Sequence, residues 1–160
     1  MSNVLFVCTA NLYRSPLVAA CFQRKLKAAG QATGWLVESA GTWARPGQSA
    51  PADLVLAAGY FGIDLRAHRT QVISRELLTK HDLILVMEKG HREALNIEFP
   101  FVRNKLHLLS EVVNGMSFDI LDPIQCRQDI HVFTSECVKF MEYGYRKIWE
   151  VSAAMQILKA

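Results

Sequence analysis

The sequence predicts an α/β fold: a single domain over residues 1–160, three-layered α/β/α, around a four-stranded parallel sheet. Two short runs carry this reading, VLFV at residues 4–7 and DLILVME at residues 82–88. Both are continuously apolar rather than alternating, as expected of strands buried on both faces. Segments with apolar residues at helical spacing alternate with such runs, the order produced by helices packed on a parallel sheet. A chain of 160 residues, 51% hydrophobic and 21% charged, can bury a substantial core within one globular unit.

Residues 4–7 form the first strand. Ser15 and Pro16 then read as the N-cap and first position of a helix. Val18, Phe22 and Leu26 recur on its face at i+4, and Gly30 is placed to end it. Residues 35–37 are the next strand, so the opening unit is strand–helix–strand with a parallel, right-handed crossover. After a loop with Pro46, Gly47 and Pro51, a helix over residues 53–61 stops at Gly62. A short helix at Arg75–Lys80 leads into residues 82–88, the clearest central strand. Another helix runs through Ala94 and breaks before Pro100, and residues 105–109 are the fourth strand. Phe133, Cys137, Met141, Tyr145, Ile148, Ser152 and Met155 trace one face of a long closing helix.

Eighteen Lys and Arg against 15 acidic residues make the chain only mildly basic, which argues against a nucleic-acid binder. No run reaches the roughly 20 apolar residues of a membrane span, so no membrane association is expected. MSNVLFVCTAN lacks the basic start of a signal peptide, and a cytoplasmic location is the expectation. The four cysteines, Cys8, Cys21, Cys126 and Cys137, contain no CxxC pair, and the histidines form no HxxxH. They read as reduced thiols, with neither a disulfide framework nor a metal site expected.

Cys8 stands apart. It ends the first strand, and folds of this class bind ligands at the carboxyl ends of their strands. A loop that joins a strand to a helix start can turn its N–H groups inward, and with the helix dipole behind them they hold a tetrahedral oxyanion. Arg14, six positions on, adds a planar fork for two oxygens, a geometry lysine lacks. The same positive field favours the thiolate of Cys8, the nucleophilic form, and Ser15 is placed to donate a hydrogen bond to it. The other cysteines have Lys27, Val132 and Tyr143 at the corresponding offset. A nucleophile thus lies inside a cradle for its own electrophile. The expelled oxygen needs an acid, and Asp122, stiffened by Pro123, and Asp119 both remain open for that role.

CTANLYRSP resembles the CxxxxxRS phosphate loop of the low-molecular-weight protein tyrosine phosphatases. ESAGTW, GIDLRAHRTQ, DLILVMEKGHREAL and Asp122-Pro123 follow in that family's order, nearest to its bacterial branch. The resemblance implies a phosphate-binding loop after strand 1 made of Thr9, Ala10, Asn11, Leu12, Tyr13, Arg14 and Ser15. It implies hydrolysis of phosphotyrosine in proteins through a cysteinyl-phosphate, with Cys8, Arg14 and Asp122 catalytic and no cofactor. Tyrosine-phosphorylated proteins, including a bacterial tyrosine kinase, would be the partners; oligomeric state is left open. Leu12, Trp43 and Ile124 would shape the substrate pocket, and His68 would make structural hydrogen bonds near the loop.

Three positions depart from the family pattern. Ala10 stands where relatives often have glycine, which implies an ordinary backbone angle there. Tyr13 replaces a second loop cysteine, removing the usual partner of an oxidised Cys8. Ile124 and Gln125 follow Asp-Pro where many relatives carry aromatic residues. Thiol-dependent arsenate reduction would need relay cysteines, and Cys21, Cys126 and Cys137 are poorly spaced for it. A phosphotyrosine-binding module without turnover would have no use for the retained Cys8, Arg14, Ser15 and Asp122 together.

Overall fold

The computed structural model describes residues 1–159. Four strands, β1 (Ser2–Cys8), β2 (Trp35–Gly41), β3 (Leu83–Val86) and β4 (Leu106–Leu108), form one parallel sheet in the order β2-β1-β3-β4. Six α-helices accompany them: α1 (Arg14–Ala28), α2 (Ala52–Gly59), α3 (Arg75–Lys80), α4 (Lys89–Glu98), α5 (Leu109–Asn114) and α6 (Ile130–Lys159). A 3-10 turn at Pro100–Lys105 precedes β4. From β1 the chain builds β2 at one edge, then crosses to lay β3 on the other side. The connections diverge at the carboxyl end of β1, and a crevice opens at such a point. Cys8 is the last residue of that strand.

Period-two alternation divides the core. Val4, Phe6 and Cys8 face a layer that includes α1, α2, α5 and α6, whereas Leu5 and Val7 pack with Leu78, Leu95 and Val102 on the opposite face. Phe6 meets Phe22 edge-on with centroids 5.9 Å apart, and Phe22 meets Trp35 at 5.3 Å, binding β1, α1 and β2 into one unit. Such ring pairs add about 1 kcal/mol each beyond the area they bury. Among the described residues no helix is long and apolar enough to cross a membrane.

The elements differ from expectation in four places, one being that β2 runs on to Gly41, past the expected residues 35–37. Helix α1 starts at Arg14, one residue before Ser15, so Ser15 is not its cap; Tyr13 holds the N-cap position without a side-chain capping bond. Pro16 is therefore the third helical residue, where its missing N–H has no intrahelical acceptor to lose. The other end follows expectation: Gly30 takes φ 68°, its N–H donates to Lys27 O, and that of Gln31 to Leu26 O. Helix α2 ends at Gly59, earlier than expected, although Gly62 does adopt φ 70°. Helix α5 was not foreseen, because its apolar residues continue the apolar run of β4 without a break.

Candidate active site

The loop between β1 and α1 is built around Asn11, which is fully buried and has φ 58°. Asparagine tolerates this left-handed conformation better than most residues. Its Nδ2 donates to Ser15 Oγ and Ser39 Oγ, both at 2.9 Å, and its Oδ1 accepts the Gln71 N–H at 2.9 Å. The Asn11 carbonyl receives the ring N–H of His68 Nε2 at 2.8 Å. Burial lowers the pKa of His68, only partly opposed by that bond, and so favours the neutral ring. The positive φ falls on Asn11 rather than Ala10, so alanine at position 10 is unstrained there, as expected.

Beyond β2, which ends at Gly41 opposite Cys8, the following turn holds the loop. Thr42 N–H donates to Cys8 O and Trp43 N–H to Thr9 O, each at 2.9 Å. Gly41 makes this approach possible, since a Cβ there would lie 2.3 Å from Thr9 O.

Cys8 Sγ lies 3.0 Å from Ser15 Oγ. Ser15 Oγ accepts from Asn11, and its single hydrogen has two acceptors in reach, Cys8 sulfur and Ala40 O at 3.3 Å. A thiolate draws that hydrogen to itself, because charge-assisted bonds are the stronger ones. Arg14 is 2% exposed. Its Nη1 donates to the Glu88 carboxylate and to Ile120 O at 3.0 Å. Its Nη2 donates to Thr9 Oγ1 at 3.3 Å and lies 3.6 Å from Asp122 Oδ2. A buried cation is tolerable only when paired, and Glu88 supplies the pairing while aiming the fork.

Cys8, Arg14 and Asp122 line a pocket of about 230 Å³ together with Ala10, Leu12, Tyr13, Ile124 and Gln125. Residues 3–156 match the family model of low molecular weight phosphotyrosine protein phosphatase.

The chain belongs to that family. It is 34% identical over 121 residues to a protein-arginine-phosphatase of Geobacillus stearothermophilus, covering 76% of this chain and 78% of the relative. It is 36% identical over 125 residues to the low molecular weight protein-tyrosine-phosphatase Wzb of Escherichia coli, again 76% and 78% of the two chains. The crystal structure of a low molecular weight protein tyrosine phosphatase from T. tengcongensis superposes with TM-score 0.82 at 31% identity, over 94% of this chain and 99% of that one.

Within this phosphatase fold the structure brings Cys8, Ala10, Leu12, Tyr13, Arg14, Asp122 and Ile124 around one cavity, with Ser15, Thr9 and Asn11 bonded behind them. Trp43 is tied to Thr9 through its main chain, while its ring is 85% exposed and does not line this cavity. Tyr13 is the pocket's aromatic residue, and its hydroxyl donates to Asp53 Oδ1 at 3.1 Å. Burial, then the Asp53 carboxylate, pushes the Tyr13 pKa up to about 12, so the phenol stays protonated. Asp119 is engaged elsewhere: its Oδ1 accepts the Lys89 N–H at 2.8 Å, and it lines a separate cavity of about 300 Å³ with Cys126 and Cys137. Asp122 Oδ1 accepts the N–H of Ile124 at 2.8 Å, which leaves Oδ2 toward Arg14. Sequence reasoning missed Glu88, His91, Ser39 and Gln71, whose partners lie far away in the chain. Among the described residues no group of three His, Cys, Asp or Glu is arranged to hold a metal.

Proposed function

We propose that this chain is a cysteine-dependent protein tyrosine phosphatase, hydrolysing phosphotyrosine through a cysteinyl-phosphate. The observation that supports it is the convergence of Cys8 Sγ, the Arg14 guanidinium and Asp122 on one small pocket. Arg14 and the loop N–H groups hold the phosphoryl oxygens, and Cys8 thiolate attacks phosphorus in line with the leaving oxygen. The P–O bond breaks as the S–P bond forms, and Asp122 gives its proton to the departing phenolate. Asp122, now a carboxylate, takes a proton from water as that water attacks the cysteinyl-phosphate, which releases orthophosphate and regenerates the thiolate. The Ser15 hydroxyl, 3.0 Å from sulfur, stabilises the thiolate as it leaves. No metal or cofactor enters any step.

The lining favours a phenyl ester over a phosphorylated guanidinium. Ala10, Leu12, Ile124 and the Tyr13 ring offer apolar contact to a flat ring. A guanidinium would need acceptors, and the pocket's carboxylate, Asp122, already accepts from its own turn and faces Arg14. The partners are accordingly tyrosine-phosphorylated proteins, a bacterial tyrosine kinase among them, encountered in the cytoplasm.

Turnover of phosphotyrosine and phosphoarginine peptides by the wild type, Cys8→Ser and Asp122→Ala tests this. Hydrolysis of phosphotyrosine is expected to vanish in Cys8→Ser. In Asp122→Ala it should fall by about 100-fold, and by less for aryl phosphates with acidic phenols. Full activity in Cys8→Ser, or preference for phosphoarginine, would overturn the proposal.

A further inference from the structure

We propose that His91 is a positioning residue: acting through the Thr9 hydroxyl, it holds Arg14 in the orientation that grips the phosphoryl group. The inference rests on the phosphatase reading above. His91 lies in the first turn of α4, 7% exposed, at the carboxyl end of β3 beside Cys8's strand. Its Nδ1 is 3.2 Å from the Glu88 main-chain nitrogen, whose N–H has only a donor's role. Nδ1 is therefore the acceptor of the ring, and the hydrogen sits on Nε2. Nε2 lies 2.8 Å from Thr9 Oγ1 and donates to it.

Thr9 Oγ1 also accepts from Arg14 Nη2 at 3.3 Å. Two donors converge on one hydroxyl oxygen and fill both of its acceptor positions. The second nitrogen of the fork is tied to the same residue by another route. Glu88, whose main-chain N–H donates to His91 Nδ1, binds Arg14 Nη1 through its carboxylate. His91 thus reaches both ends of the guanidinium, through Thr9 at Nη2 and through Glu88 at Nη1. A helix cap alone would need only Nδ1; the Nε2 bond leaves the helix and spans 82 residues to the phosphate loop.

Four variants separate the two roles. His91→Asn keeps an acceptor near the Nδ1 position but is too short to reach Thr9, whereas His91→Gln carries an amide donor to about the place of Nε2. Thr9→Val removes the hydroxyl at nearly constant shape, and Thr9→Ser retains it. His91→Asn and Thr9→Val are each expected to lower kcat/KM on an aryl phosphate about tenfold, the scale of a small misplacement in an active site. Both should weaken orthophosphate binding, measured by calorimetry, in parallel. The double variant should be no worse than either single one, and His91→Gln should recover most of the loss seen in His91→Asn, as Thr9→Ser should recover most of that in Thr9→Val. Wild-type values in Thr9→Val, or multiplying losses in the double variant, would overturn the proposal even if His91→Asn folds poorly. Loss of wild-type turnover itself would sink the phosphatase reading, while orthophosphate affinity across the same variants still reads the link to Arg14.

Discussion

Tyr13 stands within the phosphate loop, and its hydroxyl donates to Asp53 Oδ1 at 3.1 Å. Among the described residues no other thiol lines the pocket with Cys8: Cys126 lines another cavity, and Cys21 and Cys137 are buried in the core. Burial pushes the Cys21 pKa up to about 12 and also raises that of Cys137, so neither is a ready nucleophile toward a sulfenic acid. Peroxide should therefore carry Cys8 past the sulfenic state to irreversible acids. Activity after peroxide is expected to recover little with dithiothreitol, and Tyr13→Cys should restore recovery; full recovery in the wild type would contradict this. The roles proposed for Cys8 and Arg14 were legible because their spacing is itself the chemistry. Glu88 and His91 were not: Glu88 closes an apolar run, and its partner Arg14 lies 74 residues earlier. Ser15 was misread as a cap because Ser-Pro has the local signature of one, whereas tertiary contacts turn its hydroxyl to Cys8.

At the scale of elements, β1, β3 and α6 were readable from their apolar patterns, since each is long or uniformly apolar enough to declare its period. The site depends on something patterns do not carry, the close crossing of β2 under the phosphate loop. Gly41 is the point of closest approach, with room for no Cβ against Thr9 O. Gly41→Ala should push Thr9 upward and with it the acceptor of Arg14 Nη2. We expect a stability loss of about 1–3 kcal/mol, as for other overpacked sites, and at least a tenfold loss of kcat/KM. Thermal melts and steady-state kinetics of that variant check both; unchanged kinetics would show that the crossing does not set the loop.

Over the whole molecule, His68, His81, His91 and His107 all have their pKa lowered from 6.5, burial being the largest cause for each. Their unfolded forms take up protons first as pH falls, so the contribution of these neutral rings is complete above about 6.5 and is lost below it. The urea midpoint should fall between pH 7.5 and 5.5, and a flat or rising midpoint would contradict this sign. The same architecture places the proposed chemistry: strand order β2-β1-β3-β4 opens the crevice at β1, where α1 starts and the Asp122 loop closes over. The proposed chemistry passes through a phosphorylated Cys8, which rapid-quench mass spectrometry on an aryl phosphate would detect. A burst of phenol matched by phosphate on the Cys8 peptide is expected. A linear time course with unmodified Cys8, and turnover surviving in Cys8→Ser, would contradict it.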